Sequence, residues 1–276
     1  MLKVENLIFK YNDNDVFALD SINLNIEEGE YIAIIGPTGC GKTSLVKHFN
    51  ALLFPISGDV WVDGLNTKDK HAVGEIRRRV GMVFQNPDNQ IVSMTVEEDV
   101  SFGPGNLGLK TPEIRQRVDD ALSRVGLSEY SGRAPGNLSG GQKQLLAIAG
   151  ILAMNPKYVI LDEPTSSLDP SARQKIFNVL KELNRQGITI IDITHNMDEI
   201  IYANRVIVMN KGSVAHDGET HDVLSRVEWL KSLGLNTPQV TELMWRLKQM
   251  GENVHTNILT IDQACIEIVS LINGRK

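Results

Sequence analysis

One octapeptide constrains the fold of this chain more than any other feature. Residues 36–43 read Gly-Pro-Thr-Gly-Cys-Gly-Lys-Thr, a complete match to the pattern G-x-x-x-x-G-K-T. The continuously apolar run Tyr31–Ile35 precedes this loop and is typical of a strand covered on both faces, while residues 42–53 have helical character. A strand, a glycine-rich loop and a helix in this order predict a phosphate-binding βα unit.

Different residues of the loop have different roles in phosphate binding. Glycines keep bulky side chains away, so that backbone N–H groups and the positive end of the helix can converge on a phosphate. Lys42 would supply a cation for the β- and γ-phosphates, and the Thr43 hydroxyl could ligate Mg²⁺. A chance glycine-rich turn is the alternative, against which the flanking strand and helix argue. The predicted nucleotide-binding residues here are Gly36, Pro37, Thr38, Gly39, Cys40, Gly41, Lys42, Thr43 and Ser44.

A second phosphate-binding device lies about one hundred residues further along. Residues 138–142 read Leu-Ser-Gly-Gly-Gln and open a long apolar helix, whose N-terminus would attract an anion. The apolar run 145–154 within it is shorter than the roughly 20 residues that span a bilayer, so we expect a buried core helix. The predicted binding residues of this device are Ser139, Gly140, Gly141 and Gln142.

Two carboxylates end an apolar strand at residues 158–163. Because burying a carboxylate without a partner is costly, Mg²⁺ held by Asp162 is a natural partner, and Glu163 could polarise an attacking water as general base. The alternative is a pair of carboxylates that cap the next turn. Together with the phosphate loop, the pair predicts binding and hydrolysis of a nucleoside triphosphate.

Two further residues follow apolar strands. His195 follows the strand Ile188–Ile193 and Thr194, so it should lie at a carboxyl edge of the sheet, where it could contact the γ-phosphate and the water. A structural histidine is the alternative. Gln85 ends the strand Val80–Phe84 and could sense Mg²⁺ or water, although a lone glutamine is a weak signal.

Composition excludes some classes of function. A net charge of −6 over 276 residues argues against a general nucleic-acid surface, and we interpret the basic run 77–79 as a solvated helix face. Two cysteines, Cys40 and Cys265, predict no disulfide framework and indicate a reducing compartment. The chain begins directly in a strand pattern, so we expect no signal peptide.

The order of elements predicts an α/β fold. Strands and helices alternate through most of the first 215 residues, which favours a largely parallel sheet, with a mostly helical insertion over residues 86–154 and a closing hairpin at 206–215. Alternation in the first strand places Leu7, Phe9 and Tyr11 on one face, and Val4 and Ile8 on the other. We expect a capped helix start at residues 111–113 and a helix end at Gly126. Two amphipathic stripes in the tail, the second at 261, 264, 265, 268, 269 and 272, predict core packing.

The motifs in this order resemble an ABC-type ATPase subunit. They are residues 36–43, Gln85, residues 138–142, residues 161–165, residues 167–169 and His195. The resemblance covers most of residues 1–217, and the Leu-Ser-Gly-Gly-Gln segment is its most specific part. It implies a P-loop NTPase ABC ATPase core with a parallel sheet, an antiparallel β subdomain, a helical subdomain and a short C-terminal extension.

The resemblance also implies roles for individual residues. Asp162 belongs to the Mg²⁺ site with Thr43 and Gln85, Glu163 is the catalytic base, and His195 is a switch histidine. Gln85 would lie in a loop that couples ATP to a membrane partner. Residues 139–142 would close on the γ-phosphate of ATP held by a second protomer, in a head-to-tail dimer with ATP at the interface. Tyr11 lies where the family places an aromatic ring that stacks on adenine; an ordinary strand tyrosine is the alternative.

A narrower resemblance concerns the segments around Gln85 and in the tail. Residues 84–90 with 95–103, and Gly-Leu-Asn-Thr-Pro at 234–238, are similar to the ATPase subunit of energy-coupling-factor importers of vitamins and transition-metal ions. This implies ATP and Mg²⁺ as cofactors and a peripheral position on the cytoplasmic side of the cell membrane. The partners would be a like or related ATPase protomer, a transmembrane scaffold and a small membrane substrate-binding subunit, without nucleic acid.

The resemblance predicts two units, an ATP-binding domain over 1–218 and an extension over 219–276 for packing or dimerisation. Two alternatives belong to other functional classes. A soluble ABC ATPase acting on nucleic acid or ribosomes usually carries a coiled-coil insertion or two cassettes, which this chain lacks. A regulatory module that senses ATP without turnover is disfavoured by the intact Glu163 and His195.

Overall fold

Two β-sheets organise the computed structural model, which describes residues 1–11 and 16–273. A six-stranded sheet has the order β10-β9-β3-β8-β7-β6, and a four-stranded sheet has the order β2-β1-β4-β5. The strands are β1 (Leu2–Phe9), β2 (Leu19–Ile26), β3 (Tyr31–Ile35), β4 (Ser57–Val62), β5 (Leu65–Asn66), β6 (Val80–Val83), β7 (Tyr158–Asp162), β8 (Thr189–Ile193), β9 (Arg205–Asn210) and β10 (Ser213–Glu219).

Helices cover the larger sheet, extend from it and form the tail. They are α1 (Lys42–Phe49), α2 (Val73–Arg79), α3 (Val96–Asn106), α4 (Thr111–Val125), α5 (Gly140–Leu152), α6 (Pro170–Arg185), α7 (Met197–Ile200), α8 (Thr220–Leu224), α9 (Val227–Ser232), α10 (Gln239–Gln249) and α11 (Ile261–Asn273). In the described parts of the chain, no helix combines the length and the apolar character needed to cross a membrane.

The larger sheet is parallel except at one edge. β3 pairs in parallel with β8 and β9, and β7 pairs in parallel with β6 and β8, whereas β10 returns antiparallel to β9. Every residue of β3, β7 and β8 is buried, as apolar strands with both faces covered should be. The predicted α/β class with a largely parallel sheet is confirmed.

The two faces of this sheet contact different cores. Tyr31, Ala33 and Ile35 of β3 join a cluster with apolar residues of α3 to α6, while Ile32 and Ile34 join a cluster with α1 and the antiparallel sheet. Adjacent residues of one strand therefore connect both layers. The loop that leaves β3 is anchored by this double-sided packing.

The predicted face assignment in β1 holds for Leu7, Phe9 and Ile8 but is wrong for Val4. Val4, Leu7 and Phe9 are all buried on the same face, and the pairing with β2 shifts register between Val4 and Leu7. Asn6 between them has a left-handed φ of 47°. A bulge of this kind adds one residue to the strand, so the two-residue alternation reverses beyond it.

The segment between β6 and β7 is mostly helical, as expected for residues 86–154. α3 begins with a capping box between Thr95 and Glu98, and α4 ends at Gly126, which has the left-handed φ of 71° that suits a glycine. The expected cap at the start of α4 is absent. Thr111 already lies inside the helix, and Lys110 at the N-cap makes no side-chain cap hydrogen bond.

The basic run 77–79 forms the last turn of α2 and is only partly solvated. Arg79 makes ion pairs with Asp63 at 3.1 Å and Glu75 at 2.9 Å, and Arg77 donates to the carbonyl of Ala51 at 3.0 Å. The side chain of Arg78 is exposed. The run therefore links α2 to Asp63 and Ala51 through two of its arginines and exposes the third to solvent.

The tail packs in two parts. Residues Val223, Leu224 and Leu230 of α8 and α9 join the main core, whereas α10 and α11 share a small cluster around Met244 and Ala264. The predicted core packing of the second stripe is wrong for residues 261, 265, 269 and 272, which are exposed. α11 contacts this cluster through one side only, and within the described residues nothing covers the other side. The division at 218/219 stays a prediction.

We expect Gly58→Ala to destabilise the chain more than Gly64→Ala. Both glycines have left-handed φ angles, +78° and +79°, which cost an alanine about 1 kcal/mol each. A Cβ at Gly58 would also lie 2.1 Å from the backbone oxygen of Asn6, at the bulge of β1, while a Cβ at Gly64 meets nothing within 4 Å. Urea unfolding should show a loss above about 2 kcal/mol for Gly58→Ala alone. Equal losses would contradict the role of this contact.

Candidate active site

The residues of the candidate site follow four strands that end at one edge of the larger sheet. β3 leads into the loop 36–41, β6 ends before Gln85, β7 ends in Asp162, and β8 ends two residues before His195. These strands run parallel, so their carboxyl ends meet at the same edge. Residues far apart in sequence thereby converge beside the loop.

The glycine-rich loop has a backbone that larger residues could not adopt. A Cβ at Gly36 would lie 2.3 Å from the carbonyl oxygen of Met209, and one at Gly41 would lie 2.5 Å from that of Ala18. Gly41 has a φ of 105° and immediately precedes α1. The two glycines thus let β9 and the start of β2 pack directly on the loop, which points the N-terminus of α1 into the site.

Lys42 is folded back over this loop. Its ammonium group donates to the carbonyl of Gly36 at 2.8 Å and to that of Pro37 at 3.2 Å, and the residue is only 6% exposed. Within residues 1–11 and 16–273 it forms no ion pair with a carboxylate. The ammonium group also lies 3.9 Å from Sγ of Cys40. A nearly buried cation beside a helix N-terminus, with no carboxylate partner in the described parts of the chain, suits an anionic phosphate.

Thr43 and Asp162 are joined across the site. The hydroxyl of Thr43 donates to Oδ1 of Asp162 at 3.0 Å. Burial raises the pKa of Asp162, and the charge of Glu163 adds to this, while the hydrogen bond from Thr43 opposes it. A hydroxyl and a carboxylate oxygen side by side match the hard oxygen ligands that Mg²⁺ prefers, and a cation would offset the buried negative charge.

Glu163 is the centre of a three-residue cluster. Its Oε1 lies 2.7 Å from Nε2 of His195, and its Oε2 accepts a hydrogen bond from Nε2 of Gln85 at 3.1 Å. The backbone of Glu163 has a left-handed φ of 51°, an arrangement that costs a non-glycine residue about 1 kcal/mol or more. The fold therefore brings together the three residues that the sequence suggested for catalysis.

Tyr11 lies at the mouth of the same site. Its hydroxyl is 2.9 Å from Oγ of Ser44, its ring packs edge-on against Phe9, and the residue is half-exposed. A cavity of about 450 Å³ extends from Tyr11 along the loop to Glu163 and His195. Its remaining wall includes Thr38, Gly39 and the exposed apolar residues Val16 and Phe17.

Val16, Phe17 and Ala18 also line this cavity and were not predicted from the sequence; Val16 and Phe17 are the large apolar residues among them. The sequence signal for Val16 and Phe17 is an apolar pair that directly follows the polar residues 12–15. Their exposure, 79% and 48%, places apolar surface next to the ring of Tyr11. Such a wall suits the flat, apolar faces of a nucleobase.

The predicted second phosphate-binding device lies elsewhere in the chain. Ser139 caps α5 through a reciprocal pair, in which its Oγ accepts from the backbone N–H of Gln142 at 3.3 Å and Gln142 Oε1 accepts from the N–H of Ser139 at 2.9 Å. Ser139, Gly141 and Gln142 line a different cavity of about 570 Å³, which shares no residue with the first. One copy of the chain therefore does not bring residues 139–142 together with the phosphate loop.

Comparison with known proteins identifies the relatives of this architecture. Residues 19–166 match the family model described as ABC transporter. The chain is 53% identical to the cobalt import ATP-binding protein CbiO of Syntrophus aciditrophicus, over 98% of this chain and 96% of the relative. It is 52% identical to the energy-coupling factor transporter ATP-binding protein EcfA1 of Clostridium perfringens, over 95% of both chains.

The solved structures that resemble this chain are also ATP-binding cassettes. CbiO1 from Clostridium perfringens, described as part of the ABC transporter complex cbiONQ, superposes with a TM-score of 0.77 at 42% identity, over 88% of this chain and 98% of the other. The dimeric post-hydrolysis state of the ATP-binding cassette MJ0796, bound to ADP and Pi, superposes with a TM-score of 0.72 at 33% identity, over 80% of this chain and 99% of the other.

We expect Asp162→Asn to raise the melting temperature of the ligand-free chain at pH 7. Burial penalises the ionised carboxylate and raises its folded pKa, whereas an asparagine carries no charge and can still accept from Thr43. The penalty is complete above the folded pKa and vanishes below the unfolded pKa of about 3.9.

The gain should therefore shrink as the pH is lowered from 7 towards about 4, in thermal unfolding followed by circular dichroism. The same variant should lose the extra stabilisation that Mg²⁺ adds to ATP. Thr43→Ser, which keeps the hydroxyl, serves as the matched control and should retain it. A lower melting temperature of Asp162→Asn at pH 7 would contradict the assignment of a burial penalty.

Proposed function

Because this chain belongs to the ABC transporter family, we propose that it is the ATP-binding and ATP-hydrolysing subunit of an importer of the energy-coupling-factor type. That group takes up vitamins or transition-metal ions. The observation that carries the hydrolytic part is the cluster in which Glu163 contacts both His195 and Gln85, at the end of the cavity that begins at Tyr11. The names of the close relatives support the importer part.

The residues at the sheet edge would divide the catalytic task. Bound Mg²⁺·ATP supplies the phosphoanhydride and the charge-neutralising cation. Lys42 would exchange its two carbonyl partners for phosphate oxygens, and Thr43 with Asp162 would hold the cation. Glu163 would accept the proton of the attacking water through a carboxylate oxygen, while His195 and Gln85 hold that carboxylate in place. Tyr11 would stack on the adenine.

A second protomer would complete each site. The separation of residues 139–142 from the phosphate loop within one chain supports this pairing, as does the dimeric state of the related cassette. The N-terminus of α5, with Ser139 and two glycines, would then face the γ-phosphate bound by the partner. The pair can consist of two copies of this chain or of two related chains.

Membrane attachment would come from other subunits. We place the chain on the cytoplasmic side of the cell membrane, bound to a transmembrane scaffold that also holds a small substrate-binding subunit. A related cassette is described as part of a multi-subunit transporter complex, which supports this arrangement. The alternative of a soluble ATPase acting on nucleic acid or ribosomes finds less support, because the relatives are import ATPases and the net charge is −6.

We expect the tagged chain, purified from detergent-solubilised native membranes, to bring with it a helical transmembrane scaffold and a small membrane protein. Mass spectrometry of the purified material would identify both, and the small protein would indicate the solute. A matched purification from membranes that contain the untagged chain controls for proteins that bind the resin on their own. Recovery of soluble partners alone would overturn the transport assignment.

We expect Glu163→Gln to bind ATP normally, to lose turnover by about 10²- to 10⁴-fold, and to accumulate as an ATP-bound dimer. The amide has nearly the same shape as the carboxylate and keeps polar atoms for Gln85 and His195, but it cannot accept a proton at neutral pH. Phosphate release, ATP binding and gel filtration with ATP would measure the three properties.

The control for this variant is Glu242→Gln in the tail. Glu242 is a carboxylate of α10 that pairs with Lys231 and Arg246, outside the cavity beside the phosphate loop. It should turn over ATP at the wild-type rate and give no ATP-dependent trapped dimer. Wild-type turnover of Glu163→Gln itself would refute the assignment of the base.

A further inference from the structure

A second glutamate is buried behind the catalytic cluster and has no cationic partner in the part of the chain that the structure describes. Glu199 is on α7, directly after the loop that carries His195, and is only 3% exposed. Within residues 1–11 and 16–273 no lysine, arginine or histidine forms an ion pair with it. Arg173 lines the same cavity of about 350 Å³, but donates through its Nε to the carbonyl of Leu168 at 2.8 Å.

Neutral groups from two separate loops satisfy this carboxylate. Oε1 accepts from the hydroxyl of Thr165 at 2.7 Å and from Nδ2 of Asn196 at 3.0 Å, and Oε2 accepts from the hydroxyl of Thr194. The Thr194 hydroxyl oxygen also accepts from the backbone N–H of Asn196 at 3.0 Å. One side chain therefore joins the loop after β7 to the loop after β8.

Each of these loops carries one member of the catalytic pair. Thr165 follows Glu163 by two residues, and Thr194 immediately precedes His195. The distance between Oε1 of Glu163 and Nε2 of His195 is 2.7 Å. A bond that holds the two loops together behind this contact restricts the relative position of the two side chains.

The cost of burial argues against a purely stabilising role. Removing a carboxylate from water costs free energy, and hydrogen bonds from neutral donors offset only part of that cost. An apolar residue of similar size in the same place would not carry it. The neighbouring Asp192 has a pKa well above its usual range, first because it is buried and then because of the negative charge of Glu199.

We propose that Glu199 is a positioning residue for hydrolysis, which fixes the His195 loop against the Glu163 loop through Thr194 and Thr165. It does not reach the cavity beside the phosphate loop, whose lining includes Glu163 and His195 but not Glu199. Its effect on the reaction passes through the geometry of those two residues. This inference rests on the proposed ATPase function.

The first test compares Glu199→Ala and Glu199→Gln in the assembled complex. Glu199→Ala should lower kcat by about ten- to a hundredfold and leave the ATP affinity unchanged, because small displacements of reacting groups are costly while the phosphate loop is untouched. Glu199→Gln keeps the size and one acceptor oxygen and should recover much of the rate. The matched control is Asp192→Asn, a neutral replacement of the adjacent buried carboxyl group, which should retain wild-type kcat.

A double-mutant cycle tests whether Glu199 acts through His195. In single-turnover measurements, Glu199→Ala should cost its full factor in the natural background and less than about threefold in the His195→Ala background. A loss by the same factor in both backgrounds would overturn the proposal, because it would indicate a general effect on folding. Equal kcat for Glu199→Ala and the natural chain would overturn it as well.

A spectroscopic measurement separates this inference from the proposed function. Nuclear magnetic resonance of the imidazole of His195, assigned by its loss in His195→Ala, requires no turnover. Glu199→Ala should shift these signals while Asp192→Asn leaves them in place. An unchanged imidazole spectrum in Glu199→Ala would refute the positioning role, whereas a complex of the natural chain that hydrolyses no ATP would refute only the function.

Discussion

The complete burial of the parallel strands is the constraint on which the rest of this structure depends. β3, β7 and β8 have no exposed residue, because helices cover one face of the sheet and the antiparallel sheet with α1 covers the other. Charged side chains in such strands are costly, so they concentrate where the strands end. Since the strands are parallel, those ends lie along one edge, and the site forms there. Asp162 is an example: it is the last residue of β7, and its carboxylate lies beside Thr43 at the edge where a ligand can approach.

Three features at this edge make the ligand-free chain less stable and thereby favour ligand binding. Lys42 pairs with no carboxylate among the described residues and donates instead to the carbonyls of Gly36 and Pro37. Asp162 has a raised pKa because it is buried, and Glu163 occupies a left-handed backbone conformation. Each feature raises the free energy of the ligand-free chain. A polyphosphate with a divalent cation would relieve the first two by supplying the missing opposite charges. Stability is thus lowered at the residues that carry the proposed chemistry, which is a common compromise at functional sites.

Local patterns predicted the elements well where neighbouring residues decide the conformation. The glycine loop, the apolar strand Tyr31–Ile35 before it and the end of α4 at Gly126 follow from short-range sterics and hydrogen bonding. The same reasoning failed in β1, because the bulge at Asn6 reverses the alternation. It also failed in α11, where an apolar stripe cannot reveal whether a partner element covers it. Val16 and Phe17 were missed because their position beside Tyr11 depends on how the whole edge is assembled.

The sequence by itself determined the chemical groups of the site and their assignment to strand ends, because motif spacing and apolar runs are local properties. It also led to the family, since the motifs occur in a specific order. The contacts between those groups were decided only by the tertiary structure. The 2.7 Å approach of His195 to Glu163, and the link that Glu199 makes from Thr165 to Thr194, join residues from separate strands. Their distances depend on the register of the parallel sheet and on the packing of both its faces, which no short stretch of sequence contains.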